Sequence, residues 1–494
     1  MKPFLGIMLL FVSITVSATE RWDIFEIELK GPKTENPFTE IWVQAEFQFK
    51  NFRYHVDGFY DGDQTYKIRF MPEHVGKWTY VIKSNSPEMN GKTGKFRCTP
   101  ATPNNHGPVS VRDTFHFKYA DGAPFYVLGT TAYAWVHQKE ERIKETLNTL
   151  EQEAFNKIRM TVMPKYYGRY VSNEPDLYPF EGSLESGWDR TRFNVEFFRH
   201  LEKQVGELRK RSVEADIIIF HPYDKDSWGF SKGTVEENVF YLKYLVARLA
   251  SYRNVWWSMA NEYDVMHKPE SEWETYFKEL VANDPYQHLK SIHNGKSWYN
   301  HSNPWITHLS VQTPYLEKTQ TWRETYHKPV VNDEFVYEGN VPFDWGNLTP
   351  EETVNRFWTI YCRGGYASHG ETYVHPENIL WWAKGGKLYG KSPKRLRFLA
   401  QIMKAAPEKG LTPIHTQWNK ETYLYKEQDY FLFYYGNSQQ ASARLKLAKD
   451  KKYSVEIIDA WNMTVEKLED EYSGTVEIPL PQQRPYMAVR AIAK

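Results

Sequence analysis

Hydrophobic patterning changes twice along the chain. From Trp22 to about Thr99 apolar and polar positions alternate over short stretches, as in Ile41–Phe47, Tyr66–Phe70 and Trp78–Ile82. Turn chemistry separates them at Tyr60-Asp61-Gly62-Asp63 and Glu88-Met89-Asn90-Gly91. A period of two marks strands with one buried face, and short strands in series without a helical period predict a β-sandwich. Pro100, Pro103 and the stretch Asn104–Pro108 read as a linker.

From about Phe115 to Ala406 strand-like and helix-like segments take turns. The runs Phe125–Gly129, Lys157–Met163, Asp216–His221, Asn254–Met259, Leu289–His293, His308–Gln312, Pro329–Asn332 and Ala367–Thr372 read as buried strands. Helical periods fall at Glu140–Glu153, Asn194–Arg211, Glu236–Ser251, Ser271–Asn283, Glu317–His327, Pro350–Arg363 and Ser392–Ala405. Eight strands alternating with helices or helix-sized segments are the arithmetic of a (β/α)8 barrel. An open doubly wound sheet is the alternative, but Leu128-Gly129-Thr130-Thr131-Ala132 stands where its G-x-G-x-x-G would be. After Gly410 the pattern returns to strands.

The fold class expected is therefore α/β, a (β/α)8 TIM barrel flanked by N-terminal and C-terminal β-sandwich domains. Its boundaries are 20–105 for the first sandwich, 110–407 for the barrel and 410–494 for the last sandwich.

Two buried runs end abruptly in acids. Asn254–Asp264 (NVWWSMANEYD) closes the fourth strand on Asn261 and Glu262, and Lys328–Phe335 (KPVVNDEF) closes the seventh on Asp333 and Glu334. All strands of a barrel end at one face, so Glu262 and Glu334 converge there. Two carboxyls at such a mouth suit glycosidic cleavage with retention, one donating a proton and the other attacking the anomeric carbon. Asn261 beside Glu262 is a neutral donor for a sugar hydroxyl. Asp264, Asp333 and Glu338 read as supporting groups, and Glu371 as a third carboxylate at the last strand.

Composition narrows the partner. With 62 basic and 62 acidic residues in 494, the chain carries no net charge, so nucleic acid and anionic lipid are not expected partners. Aromatic residues make up 16% of the chain, with 18 Trp. Trp and Tyr offer flat faces that stack on sugar rings, so a carbohydrate fits. Trp135, Tyr166, Tyr167, Trp228 and Trp298 are the stacking candidates, and His221 and His369 the candidate donors to sugar hydroxyls.

The first 18 residues, with Lys2, an apolar stretch over Leu5–Val16 and Val16-Ser17-Ala18, have the layout of a secretory signal. No cysteine marks a lipid anchor, and no later run is long enough to span a bilayer. A periplasmic or secreted protein without membrane insertion is expected. Cys98 and Cys362 are not expected to pair. The sequence leaves the oligomeric state open.

Two other classes compete. Histidines near strand ends (His221, His293, His308, His369, His375) raise a metal-dependent barrel hydrolase, but no His-x-His opens the first strand and no H-E-x-x-H occurs. No metal ligand set and no cofactor are therefore assigned. A noncatalytic carbohydrate-binding protein would share the sandwiches and the aromatics.

These residues also carry a resemblance. The Asn-Glu ending strand four and the Glu ending strand seven resemble the clan-A retaining glycoside hydrolases. More narrowly, Asp121–Trp135 (DGAPFYVLGTTAYAW), WWSMANEYD and Glu377–Leu399 (ENILWWAKGGKLYGKSPKRLRFL) resemble the apiosidase-like barrel family. Asn36–Phe38, Gly58–Gly62 and Arg69–Pro72 resemble the β-sandwich that often precedes such barrels. The resemblance implies Glu262 as acid/base, Glu334 as nucleophile and Arg159 as the group that orients the nucleophile. It places Tyr315 at strand six. The clan's strand-eight Trp has no clear equivalent: Trp381 and Trp382 lie well past the strand, and its place falls to His369 or Glu371. The implied activity is double-displacement cleavage of O-glycosidic bonds in an oligo- or polysaccharide.

Overall fold

The computed structural model describes residues 18–167, 175–224, 228–375, 377, 380–407, 411–414, 422–426 and 428–494. Apart from Ala18, the expected export segment lies outside these residues. The chain divides into two compact units, Met1–Asn105 and His106–Lys494.

In the first unit a five-stranded sheet runs in the order Ala18–Glu20, Thr93–Thr99, Gly76–Ser84, Val43–Phe49, Phe52–Asp57. A three-stranded sheet, Phe25–Lys30, Thr65–Phe70, Phe59–Tyr60, covers it. Alternation decides the inner face: Phe25, Ile27 and Leu29 are buried while Glu26, Glu28 and Lys30 between them are exposed. Phe25 stacks on Phe96 at 3.9 Å and Phe47 on Phe70 at 4.1 Å, and each pair joins one sheet to the other. The expected sandwich is present.

The second unit holds the barrel. Its strands, numbered here in barrel order, are β1 Leu128–Thr131, β2 Lys157–Thr161, β3 Glu214–Phe220, β4 Val255–Ala260, β5 Lys290–Ser291, β6 Leu309–Gln312, β7 Val330–Glu334 and β8 Tyr366–His369. They pair in the order β5-β4-β3-β2-β1-β8-β7-β6, every pair parallel. A single parallel bridge between His293 and Ser310 closes the ring. Around it lie α1 Glu140–Gln152, α2 Val195–Lys210, α3 Val235–Leu249, α4 Glu270–Asn283, α5 Thr319–Tyr326, α6 Pro350–Cys362 and α7 Ser392–Lys404. Local signals fix several of their starts. Thr234 and Glu237 form a capping box on α3, and Thr349 caps α6 just ahead of Pro350.

One boundary moves. The first strand was expected at Phe125–Gly129, but Pro124–Phe125 forms the edge of a small antiparallel sheet with His116–Tyr119 and Val109–Arg112. Its Phe117 and Phe125 rings lie 5.2 and 6.0 Å from that of Trp256, closing the end of the barrel where the strands begin. The run from Phe125 to Gly129 is continuously apolar, so periodicity gives no sign of where one strand ends and the next begins.

Beyond the barrel a six-stranded sheet and the pair Ser442–Lys446 with Thr475–Pro479 enclose Phe431, Phe433, Leu445, Val455, Ile478 and Val489, a second sandwich. It packs on the barrel helices. Trp358 of α6 stacks on Tyr434 at 5.3 Å, and Arg395 of α7 donates to the Trp461 carbonyl at 2.9 Å. Cys98 and Cys362 are both buried and unbridged. Among the described residues no helix is long and apolar enough to cross a membrane.

Candidate active site

All six residues of β4 and all five of β7 are buried, as strands covered on both faces require. Where β4 ends, Glu262 takes a left-handed backbone conformation, φ 47° and ψ 55°, which costs a residue with a Cβ roughly 1–2 kcal/mol. Strain of this kind persists where surroundings over-determine it, and it collects at functional sites. The Asp264 carboxylate pins the loop that follows β5, accepting from the backbone N–H of Gly295, Lys296 and Ser297 at 2.6–2.8 Å. Those bonds hold its pKa below the usual range against the opposing effect of burial.

Glu262 and Glu334 both line a cavity of about 810 Å³ at the carboxyl ends of the strands. Gln312 stands between them. A bulge at Asp333 of β7 sets Gln312 opposite Glu334 in the register of β6 and β7. With its amide turned so that nitrogen faces the acceptors, Gln312 donates at 3.3 Å to Glu262 Oε1 and at 3.3 Å to Glu334 Oε2. Those two oxygens are therefore no more than twice that distance apart.

The two carboxyls are held differently. Glu334 Oε1 accepts from Arg159 Nη1 at 3.0 Å and from the Tyr133 hydroxyl, and His293 Nε2 lies 3.3 Å away. Arg159 Nη2 donates to Asn261 Oδ1 at 2.8 Å, and Tyr133 reaches the same oxygen at 3.2 Å. Burial pushes the Glu334 carboxyl up to about 8, a rise that the Tyr337 hydroxyl opposes. Burial also keeps His293 neutral, well below the ordinary histidine range. Glu262 Oε2 accepts from the Tyr223 hydroxyl and is less deeply enclosed.

A charged layer lies beneath. Lys157 Nζ bridges Asp216 at 2.6 Å and Asp333 at 2.8 Å, and Ser310 and Ser368 each donate to Asp333 at 2.6 Å. Despite burial, the cations Lys157 and Arg159 hold Asp333 well below the usual carboxylate range. This layer is supporting structure, as expected of Asp333.

Lys165 enters the cavity wall just after β2. Its Nζ lies 3.6 Å from the Tyr133 ring centre and 4.4 Å from that of Tyr223. Burial pulls its pKa down to about 7, which the nearby Glu262 charge partly offsets. Toward the mouth, Phe343 stacks on Trp345 at 5.7 Å and Trp345 lies 4.9 Å from Trp382. These rings, with Tyr166 and Tyr167, form an aromatic rim.

Of the residues singled out in the sequence, Glu262, Glu334, Asn261 and Arg159 come together, and Tyr166 and Tyr167 line the cavity. The others sit elsewhere. Trp135 is wholly buried in the turn after β1, and Trp228 is buried as well. Trp298 packs against Trp322, and Tyr315 is exposed outside the cavity lining. His221 is buried, with Nε2 donating to the Met163 carbonyl at 3.0 Å and Nδ1 accepting from the Tyr223 backbone at 3.1 Å. It thereby positions the tyrosine that meets Glu262. His369 and Glu371 lie beside Glu338 rather than in the cavity lining.

Tyr133, Tyr223, Gln312, Lys165 and Trp382 join the site unannounced, as does His293 in its place beside Glu334, since the sequence raised it only as a strand-end histidine for a metal. All but Trp382 follow or end a barrel strand, the one signal that could have found them.

Comparison with known proteins agrees with this architecture. The apiosidase-like catalytic domain matches residues 112–421, and domains of unknown function, DUF5060 and DUF5605, match 18–85 and 418–492. No curated protein matches. A Bacteroides vulgatus crystal structure, described only as a candidate glycoside hydrolase, is 39% identical with a TM-score of 0.92, over 97% of this chain and 100% of that one. A family 5 glycoside hydrolase from the same organism superposes with a TM-score of 0.61 at 15% identity, over 79% of this chain and 94% of that one, a likeness of fold. The match over the barrel shows that this chain belongs to the apiosidase-like catalytic-domain family.

Proposed function

We propose that the protein is an exported glycoside hydrolase that cleaves O-glycosidic bonds of an oligo- or polysaccharide by double displacement. The observation that carries this reading is the pair Glu262 and Glu334, bridged by one amide across an aromatic-walled cavity. Facing oxygens no more than twice 3.3 Å apart are compatible with the roughly 5–5.5 Å between carboxyl groups of a retaining pair. The description of the 39% identical relative as a glycoside hydrolase supports the hydrolase reading without bearing on stereochemistry.

The surroundings of each carboxyl suit different roles. Glu334, fixed by Arg159 and Tyr133, is the nucleophile: the guanidinium stabilises its ionised form and aims one oxygen at the anomeric carbon. Glu262, held by Tyr223 at the more open wall, donates its proton to the leaving oxygen. It then takes a proton from the water that resolves the glycosyl-enzyme. Lys165, whose pKa burial lowers to about 7, donates to substrate oxygens, and the Trp345 and Trp382 faces stack on sugar rings. The N-terminal signal layout supports export to the periplasm or medium.

The test is Glu334→Ala assayed on a panel of glycans and aryl glycosides. Near-complete loss of turnover, with azide restoring it and giving product of inverted configuration, is expected; full activity in this variant refutes the mechanism. An NMR time course in which the wild type first releases the inverted anomer would exclude retention. Sugar affinity without turnover, unchanged in Glu262→Gln, would make the protein a binder.

A further inference from the structure

Outside the cleft, a second group of buried carboxylates has no use in the proposed reaction. Glu338 follows β7 and Glu371 follows β8, in two short segments that pair in parallel. Both side chains are buried, at 0% and 1% exposure, and among the described residues neither makes a close ion pair with a lysine or arginine, although the Arg395 charge acts on Glu338 from farther off. Their compensation comes from backbone at the start of α7. Tyr389 and Gly390 N–H donate to the two oxygens of Glu371 at 2.6 and 2.8 Å. Lys391 and Ser392 N–H donate to Glu338 at 2.8 and 3.2 Å, and the Tyr373 hydroxyl donates to it at 3.1 Å.

A helix start supplies about half a positive charge, and the Arg395 charge acts on Glu338 alone of the two, which leaves the adjacent pair, Glu371 above all, short of compensation. Gly390 shows how tightly they converge: a Cβ there would lie 2.6 Å from Glu338 Oε1 and 2.6 Å from Glu371 Oε2. With four lone-pair sites per carboxylate, Glu371 keeps two unused and Glu338 one.

His369, the last residue of β8, adds an independent observation at the same place. It is fully buried, and a ring nitrogen lies with oxygens of both glutamates in a set of ligand atoms all within 4.8 Å of one another. Its Nδ1 is 3.5 Å from Thr130 Oγ1, which also accepts from Trp381 Nε1 at 2.8 Å. Its Nε2 is buried without a hydrogen-bond partner. A metal-binding imidazole commonly donates its other N–H to a nearby oxygen, the place Thr130 fills here.

We propose that Glu338, His369 and Glu371 bind a divalent transition-metal ion of the zinc or manganese kind. One imidazole and two carboxylates match such ions, and the imidazole disfavours calcium and magnesium, which take oxygen ligands. The ion neutralises the carboxylates and joins the segments after β7 and β8 to the start of α7. It is a brace and takes no part in the sugar chemistry. Sequence spacing hides it, because the three ligands belong to no compact motif.

The experiment measures metal content and thermal stability of the whole chain, purified without chelator and loaded separately with zinc, manganese or calcium. Stoichiometric zinc or manganese is expected to survive desalting. EDTA is expected to lower the Tm by several degrees, with restoration by zinc or manganese and not by calcium. Glu371→Gln and His369→Gln, their folding checked by circular dichroism, are expected to lose both retention and chelator sensitivity. Absence of retained metal with a Tm indifferent to both ions overturns the proposal, as does equal retention by Glu371→Gln. Burial and the neighbouring Glu338 push Glu371 up to about 8. A proton shared by the two carboxyls would therefore give stability present at low pH and lost as pH rises through about 8. That loss, with no response to chelator or metal, also overturns the proposal.

Discussion

Replacing Arg159 with methionine removes the cation that faces Glu334 at 3.0 Å and leaves a carboxyl buried without its partner. At an effective dielectric of about 20 the direct interaction at that distance is roughly 5–6 kcal/mol, and breaking a buried pair costs about 3–5 kcal/mol. Spread over the ionisation of Glu334 at about 1.36 kcal/mol per unit, this raises its pKa by about 2–4 units. The sign follows from which form the arginine favours. It stabilises the carboxylate, so its removal leaves the nucleophile protonated to higher pH. In the wild type the acid limb of kcat/KM is expected between the ordinary carboxyl range and about 8. In Arg159→Met it moves to higher pH, and kcat/KM at pH 7 falls by roughly 100-fold or more. Arg159→Lys keeps the charge but lacks the fork that reaches Glu334 and Asn261 together, so it lies between the two. The assay is the pH profile of kcat/KM on the best glycoside found, alongside thermal melts showing that each variant is folded. A folded Arg159→Met with an unmoved acid limb and activity within tenfold of wild type would refute the reasoning.

Three other expectations follow from the same geometry. Tyr133→Phe removes the hydroxyl shared by Glu334 and Asn261; at about 1.5–3 kcal/mol for a bond to a charged group, kcat should fall roughly 10- to 150-fold with little change in Tm. Lys165→Met keeps the aromatic enclosure but removes a donor from the cavity wall, so KM should rise more than kcat falls, and a titration with pKa near 7 should vanish from the pH profile. Phe47→Ala, at a fully buried ring stacked across the first sandwich, should destabilise that unit by about 3–5 kcal/mol in a denaturant melt.

The sequence by itself determined the eight-strand count and the order of the architecture, because hydrophobic period reports local geometry and burial along one strand or helix. It also found Glu262 and Glu334, since a carboxylate that ends a run buried on both faces is a local anomaly, and barrel topology then sends every strand end to one mouth. What pairs across the ring was decided only by tertiary structure. A bulge at Asp333 of β7 brings Gln312 opposite Glu334 and between the two carboxyls, and Arg159 reaches both Glu334 and Asn261 from β2. No spacing in the chain encodes those contacts. The aromatic residues show the same division: composition calls for stacking faces but leaves open which of them point into core. Trp135 is wholly enclosed, while Trp345 and Trp382, far along the chain, meet at the rim. His369 and Glu371 stand at the last strand, as the sequence placed them, yet they turn toward Glu338 and the start of α7 rather than the cleft. Side-chain direction at a strand end depends on the loop that follows, and that loop's path is set by packing against the rest of the barrel.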